Sequence, residues 1–436
     1  MGSGIELLGI ISEKENIRSR TMIVCLISAL GIYAGIYSHR IIMVVFIIDL
    51  LSMLMLNNQE IFCELFFLLP FTMVYKINPA STSLFTYLTL ASIVCLIVKK
   101  HYVDKKYLLT VLLLVAYLMI GTGNDITSLI KLSGSFVLAY YFVVEIDRKN
   151  FCKIIEYLSL GVIISSFIGL RKATWPQLAS FFSSMKSEYI NGVSVNRFTG
   201  LYLDPNYYSI LIIVCLIGVF LFAFKREINK VVAIIMISLL TVFGCITYSK
   251  VFFLALALLI VAAFIIRIKT TGKYLGSLLL LIFICVIGYY FASKFGVVNN
   301  ILYRFSANDI SNNRLDIWKM YIGYITDTIR VMLFGVGIGA GNYNGSGAHN
   351  YYIETWYYLG IVGSVIYFCV IIMLLKRFNR IKKRTLMNYS LLIILMFMFA
   401  TLGMLLSNDF IFLLLVAWIV LNTEIMEKRG MYNASI

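Results

Sequence analysis

Charged side chains are in short supply in this chain. They make up 13% of its 436 residues, whereas soluble domains carry about 25%. That shortage excludes an ordinary soluble domain, because a large soluble helical core would still need polar faces at helical spacing. Most of the apolar runs here have none. Acidic residues are the scarcest, 21 against 37 lysines and arginines. The net charge of +16 is nevertheless no nucleic-acid signal. The basic residues sit in short segments between apolar runs, which is the orientation signature of a membrane protein. The 8 cysteines stand singly, with no CxxC pair. No metal-ligand cluster can be built from them, and they read as small core hydrophobes. No internal repeat is evident, and charge between Glu6 and Arg20 argues against a cleavable leader.

Apolar sequence is abundant instead, at 61% of residues. Runs of roughly 16 to 20 residues recur along the whole length, about enough to cross a hydrocarbon core of ~30 Å. Candidate spans fall at 21–38, 41–56, 61–76, 81–98, 107–121, 126–144, 154–171, 207–224, 231–248, 251–267, 274–292, 350–375, 387–405 and 408–425. The expected fold is therefore all-α: a polytopic membrane bundle of about 12–14 transmembrane helices, forming a single integral membrane domain over 1–436. With both termini in the cytoplasm, about twice as many lysines and arginines fall inside as outside, as the positive-inside rule requires. Two long segments then face outward, 172–206 and 293–349. Loops of this length are usually functional. Residues 313–333 are expected to form one amphipathic helix at the membrane surface, with Leu315, Trp318, Tyr321, Ile322 and Ile325 on one face.

Three outward segments carry the residues suited to chemistry. The first runs from Arg197 through Asp204-Pro205-Asn206 into an apolar run. The second is Asn313-Arg314-Leu315-Asp316-Ile317-Trp318. The third is glycine-rich 335–347, followed by His349-Asn350. Arginine binds phosphate oxygens with a planar fork, and helix N-termini add unpaired N–H groups. Lys250 and Arg304 add cations on the same side. The set suits an enzyme that holds a lipid diphosphate at the bilayer surface. The outer carboxylates Glu188, Asp204, Asp309, Asp316 and Asp327 are scattered, so no metal site and no cofactor are expected.

Plainer readings stand beside each of these. An outer arginine can snorkel to lipid head groups, and Asp204-Pro205-Asn206 is also an ordinary helix start. The glycines can serve close helix packing alone. Trp318 and Trp356 suit an interfacial belt as well as a sugar platform. Lys131, Asp49 and Glu64 are charges within or beside apolar runs.

The ordered set Arg197-x-x-Gly200-x-x-x-Asp204-Pro205-Asn206, Arg314-x-x-x-Trp318, Gly-x-Gly-x-Gly, His349-Asn350-x-x-Ile353 and Gly360-x-x-Gly363 resembles the O-antigen ligase and polymerase superfamily, including its Wzy-type polymerases. The resemblance spans about 197–363. It implies a GT-C-like, metal-independent, inverting membrane glycosyltransferase acting on undecaprenyl-diphosphate-linked glycans at the outer face of the bacterial inner membrane. It implies catalytic roles for Arg197, Arg314 and His349, and substrate contacts for Lys250, Arg304, Asp204, Asn206, Trp318 and Asn350. Lys250 stands where the family commonly shows arginine. A repeat-unit polymerase is the preferred reading, with a chain-length regulator and a flippase as possible partners. The alternatives are a ligase acting on lipid A core and, in another class, a lipid-linked oligosaccharide transporter. A transporter would place its polar groups at mid-membrane, whereas here they gather in the two outer loops.

Overall fold

The computed structural model describes residues 19–423 apart from 79–80, 100–103, 121–124, 172–174, 176–177, 179–181, 191–192, 272–289, 291–292, 295, 306–312, 346, 378–385, 402, 404 and 406–407. The chain is an all-α polytopic membrane protein with almost no sheet. Its helices are α1 (Ser19–Ala34), α2 (His39–Met55), α3 (Asn58–Leu68), α4 (Leu84–Lys99), α5 (Lys105–Ile120), α6 (Ile126–Glu145), α7 (Phe151–Leu170), α8 (Pro205–Phe224), α9 (Lys230–Cys245) and α10 (Lys250–Thr271), then α11 (Val297–Phe305), α12 (Arg314–Asp327), α13 (Ile329–Phe334), α14 (Tyr351–Arg377), α15 (Leu386–Phe399) and α16 (Asn408–Asn422). Four helical stretches, Ile126–Glu145, Arg148–Leu170, Pro205–Phe224 and Tyr351–Leu375, are long and apolar enough to cross a membrane. Shorter apolar helices fill other expected spans, and 274–292 lies outside the described residues.

The core forms where α3, α6, α7, α8 and α16 meet. α3 is buried almost throughout. Its Phe62 meets Phe142 of α6 edge-on at 5.0 Å, and its Phe66 meets Phe412 of α16 at 5.1 Å. Such pairs add about 0.5–1.5 kcal/mol each beyond the area they bury. Gly161 lets α7 approach closely, since a Cβ there would fall 2.2 Å from the Phe67 carbonyl oxygen. Outer faces are apolar in the opposite sense: Leu30, Leu54, Leu109 and Ile234 are exposed, as residues that face lipid tails must be.

Three local features depart from the sequence reading. The segment 172–206 contains an antiparallel hairpin, β1 (Met185–Ile190) with β2 (Val193–Phe198). The amphipathic stretch 313–333 is two helices, because Thr328 leaves helical geometry and caps α13 through Val331 N–H. Its packed face is formed by Tyr321, Ile325, Ile317 and Tyr324, while Leu315 and Ile322 are 55% and 41% exposed. Finally, the span expected to be continuous over 350–375 is interrupted at Gly360, whose φ is +63°.

That interruption is built from both sides. A helix break frees carbonyls that membrane interiors leave without water, so other groups must satisfy them. Val336 N–H donates to Tyr357 O and Gly337 N–H to Tyr358 O, each at 3.0 Å. The Tyr117 hydroxyl from α5 donates to Leu359 O at 2.7 Å. Gly335 faces the backbone of Tyr358 and Gly360, Gly360 faces that of Leu333 and Phe334, and a Cβ on either would lie 2.4 Å from main-chain atoms. The glycine-rich segment thus serves close packing at its start.

Candidate active site

The hairpin places Arg197 and holds it. In the β1–β2 register Arg197 stands opposite Lys186, and Glu188, two residues along the same strand face, reaches it diagonally. Phe198 N–H donates to Ile246 O, which fastens β2 to the end of α9. Arg197 is only 4% exposed. Its Nη1 donates to Glu188 Oε2 at 3.0 Å, its Nη2 to Asn206 Oδ1 at 3.0 Å and its Nε to Thr247 O at 3.1 Å. Gly200 makes the turn from β2 to α8 in the left-handed region, where a Cβ would strike the Tyr208 ring.

Asn206 links this arginine to the turn before α10. Its Oδ1 also accepts from Ser249 Oγ at 3.0 Å, and Ser249 in turn accepts from Ser209. The Asn206 Oδ1 thus positions Arg197. Asp204 caps α8 through Asn206 N–H at 2.7 Å and faces Lys186 across 3.8 Å.

The second half of the site comes from α12 and α14. Arg314 opens α12 and Lys250 opens α10. Both are cations at helix N-termini, where the macrodipole is already positive. The residue types oppose the helix ends, which costs local stability and concentrates positive potential. Three residues beside these starts, Tyr248, Asn313 and His349, have φ of +48°, +61° and +49°. Non-glycine residues seldom adopt such geometry, and it costs about 1–3 kcal/mol each. Trp318 Nε1 donates to Ala348 O at 3.0 Å, which ties α12 to the residue before His349. Asn350 caps α14, accepting from Tyr352 and Ile353 N–H at 3.0 and 3.2 Å.

His349 is half-buried between the two halves. Burial holds its imidazole below the ordinary histidine range, the Arg314 charge pushes the same way, Asp204 opposes, and Lys186 adds to the lowering. The structure thus brings Lys186 of the hairpin and Asp204 at the start of α8 within electrostatic reach of His349, as is Arg314, while Arg197 stands opposite Lys186 with Glu188 and Asn206 on its guanidinium. Trp318, Asn350 and Asn206 serve as braces within this arrangement. Arg304 lies on α11, and its side chain falls outside the described residues. Glu188, Lys186, Thr247 and Ser249 carried no role in the sequence reading. The available signal for the hairpin was Asn191-Gly192, the dipeptide that most favours two-residue turns.

The chain is thus a polytopic membrane bundle with two of its cations, Lys250 and Arg314, at helix starts. The comparison with known families is more specific. Residues 235–368, less than a third of the chain, match the family model described as O-antigen ligase. The matched segment contains Lys250, Arg304, Arg314, Trp318, His349 and Asn350, while Arg197, Asp204 and Asn206 precede it. No curated protein and no solved structure matches the chain.

Proposed function

We propose that the protein is a polymerase of undecaprenyl-diphosphate-linked oligosaccharide repeat units, working at the outer face of the bacterial inner membrane with both termini in the cytoplasm. The observation that carries the reading is that Arg314, Asp204 and Lys186 lie within electrostatic reach of half-buried His349, whose pKa burial and then Arg314 lower, while Lys186 stands opposite Arg197 in the hairpin. A hydroxyl of one lipid-linked glycan attacks the anomeric carbon of another. The bond from that carbon to the phosphate oxygen breaks, the configuration inverts, and undecaprenyl diphosphate leaves. Arg314 stabilises charge as it develops on the leaving phosphate, an electrostatic contribution largest in a water-poor site. Arg197 acts from the buried side, where the diphosphate competes with Glu188 for its Nη1. Neutral His349 takes the hydroxyl proton, the role an imidazole with a lowered pKa performs at neutral pH. No metal has a part in this scheme, because cations of the chain meet the phosphate charge.

The family description supports a second reading, ligase, in which the acceptor is lipid A core. Donor and leaving group are then the same and only the acceptor differs. Purified protein in nanodiscs, given a lipid-linked repeat unit alone, should extend it into a ladder. Transfer only when lipid A core is added would make the protein a ligase. Arg314→Ala should reduce either product by about 100-fold or more, the scale on which loss of one charge-stabilising donor acts. Wild-type yield from Arg314→Ala would refute the assignment of that residue.

A further inference from the structure

Outside this site, α1, α2 and the α3 region enclose two carboxyl groups, Asp49 and Glu64, each 0% exposed. Ionisable groups at such depth in a membrane bundle are functional candidates by default. Asp49 is well supplied: the Ser28 hydroxyl and the Tyr75 hydroxyl each donate to one of its oxygens. Glu64 is not. Its Oε1 lies 2.6 Å from Ser52 Oγ, and its Oε2 is buried with no hydrogen-bond partner among the described residues. The nearby cations are engaged elsewhere. Arg20 of α1 holds Glu60 at 2.8 Å, Lys99 of α4 donates to the carbonyls of Leu56 and Met53, and Lys153 of α7 holds Glu156. Cys25, Cys63 and Tyr157 are the other titratable neighbours from α1, α3 and α7, and Lys76 follows Tyr75 in the chain.

Ser52 decides the proton count. Its hydroxyl oxygen lies 2.7 Å from the Asp49 main-chain carbonyl and 2.6 Å from Glu64. A hydroxyl has one proton to give, and a carbonyl can only accept. When Ser52 gives its proton to the Asp49 carbonyl, the contact with Glu64 is a hydrogen bond only if Glu64 is the donor, which requires a protonated acid. The bare Oε2 points to the same state independently. On a neutral acid it is an uncharged carbonyl oxygen, whereas on a carboxylate it is half of a buried charge with nothing to meet it. We infer that Asp49 and Glu64 form a proton-binding site inside the membrane bundle, with Glu64 carrying the proton and bonding α3 to Ser52 of α2. When that proton leaves to water, the Ser52 hydroxyl turns from the Asp49 carbonyl to Glu64 Oε1 and keeps that contact hydrogen-bonded, while Oε2 stays unmet, so the protonated state is the resting one. Sodium would use the same oxygens and the same charge, and the test separates the two.

The test is infrared difference spectroscopy on the full chain in nanodiscs, which reads the carbonyl stretch of neutral carboxylic acids. Wild type should show such a band at neutral pH. Glu64→Gln should lose it and remain folded, because the amide donates to Ser52 in the acid's place. Asp49→Asn should keep it. Ser52→Ala, which removes the acid's acceptor, should shift the band without erasing it, so the assignment does not rest on the glutamine variant alone. Replacing choline chloride with sodium chloride should leave the band unchanged. A wild-type spectrum without any band sensitive to Glu64 or Ser52 would overturn the site. A band erased by sodium would overturn the proton as its occupant.

Discussion

Replacing Gly360 with alanine sets two separable costs against each other. The first is conformational. At φ +63° and ψ −176° an alanine sits in a region essentially reserved for glycine, which costs about 1–3 kcal/mol. The second is steric. The new Cβ would lie 2.4 Å from Leu333 C and O and from Phe334 N, where carbon contacts settle at about 3.5–4.0 Å. These are backbone atoms with no rotamer to yield, so α13 must move by about 1 Å. That motion weakens the Val336 and Gly337 bonds to Tyr357 and Tyr358, each worth about 0.5–1.5 kcal/mol. The expected total is about 3–5 kcal/mol, a large part of a typical folding free energy of about 5–15 kcal/mol. Two other glycines isolate the contributions. Gly341 has φ +72° and open space around it, so Gly341→Ala should cost only the conformational part, about 1–2 kcal/mol. Gly323, inside α12, has neither strain nor neighbours, and Gly323→Ala should stabilise by up to about 1 kcal/mol. Thermal unfolding of the three variants in one detergent, followed by monodisperse elution, should rank them Gly323, Gly341, Gly360. If Gly360→Ala melts with Gly341→Ala, the backbone contact between α13 and α14 is not as described here.

Asn206→Ala removes one hydrogen bond to the Arg197 guanidinium and one to Ser249; bonds to charged groups are worth about 1.5–3 kcal/mol, so glycan transfer should fall about 10-fold or more with folding retained, and an unchanged rate would show that Arg197 needs no such brace. His349 provides a pH test: its imidazole is held below the ordinary histidine range, so the active neutral form should persist through neutral pH and be lost only on further acidification. His349→Gln should lower the rate and abolish that acid limb, and a variant with the wild-type rate and profile would remove His349 from proton transfer. Ser183 is exposed beside the hairpin, so Ser183→Cys, with the exposed Cys369 replaced by serine, should react with an impermeant thiol reagent added outside intact cells; labelling confined to inverted vesicles would reverse the proposed orientation.

Much of the helical framework was legible because its signals are local. Apolar runs gave α6, α7 and α8 nearly to the residue, and Asp125, Asp204 and Asn229 are caps of the kind sequence can show. The breaks were harder. Thr328 interrupts a periodic amphipathic pattern with a single hydroxyl cap, and periodicity alone cannot see that. Gly360 is one of several glycines in 335–363, and only its docking against Leu333 and Phe334 singles it out. The cations of the site were visible by type and spacing. Their partners were not, because Arg197 meets Thr247 and Asn206 through folding rather than through sequence proximity. Trp318 and Asn350 stand out in the motif by type, but the bonds from Trp318 to Ala348 and from Asn350 to the start of α14 come only from the fold.

The interruption at Gly360 also changes what sets the orientation of the first part of α14. An α-helix advances about 100° per residue, so in a continuous span any insertion or deletion would swing every side chain beyond it around the axis. Here the head that follows His349 is closed at its start by Asn350 and at its end by Val336, Gly337 and Tyr117. Its azimuth is set by those bonds together with the Tyr351–Tyr367 hydroxyl pair at 2.9 Å, which reaches across the break. Sequence change at the exposed positions Ile361, Val365 and Ile372 can therefore accumulate in composition without disturbing the anchors of the segment that follows His349.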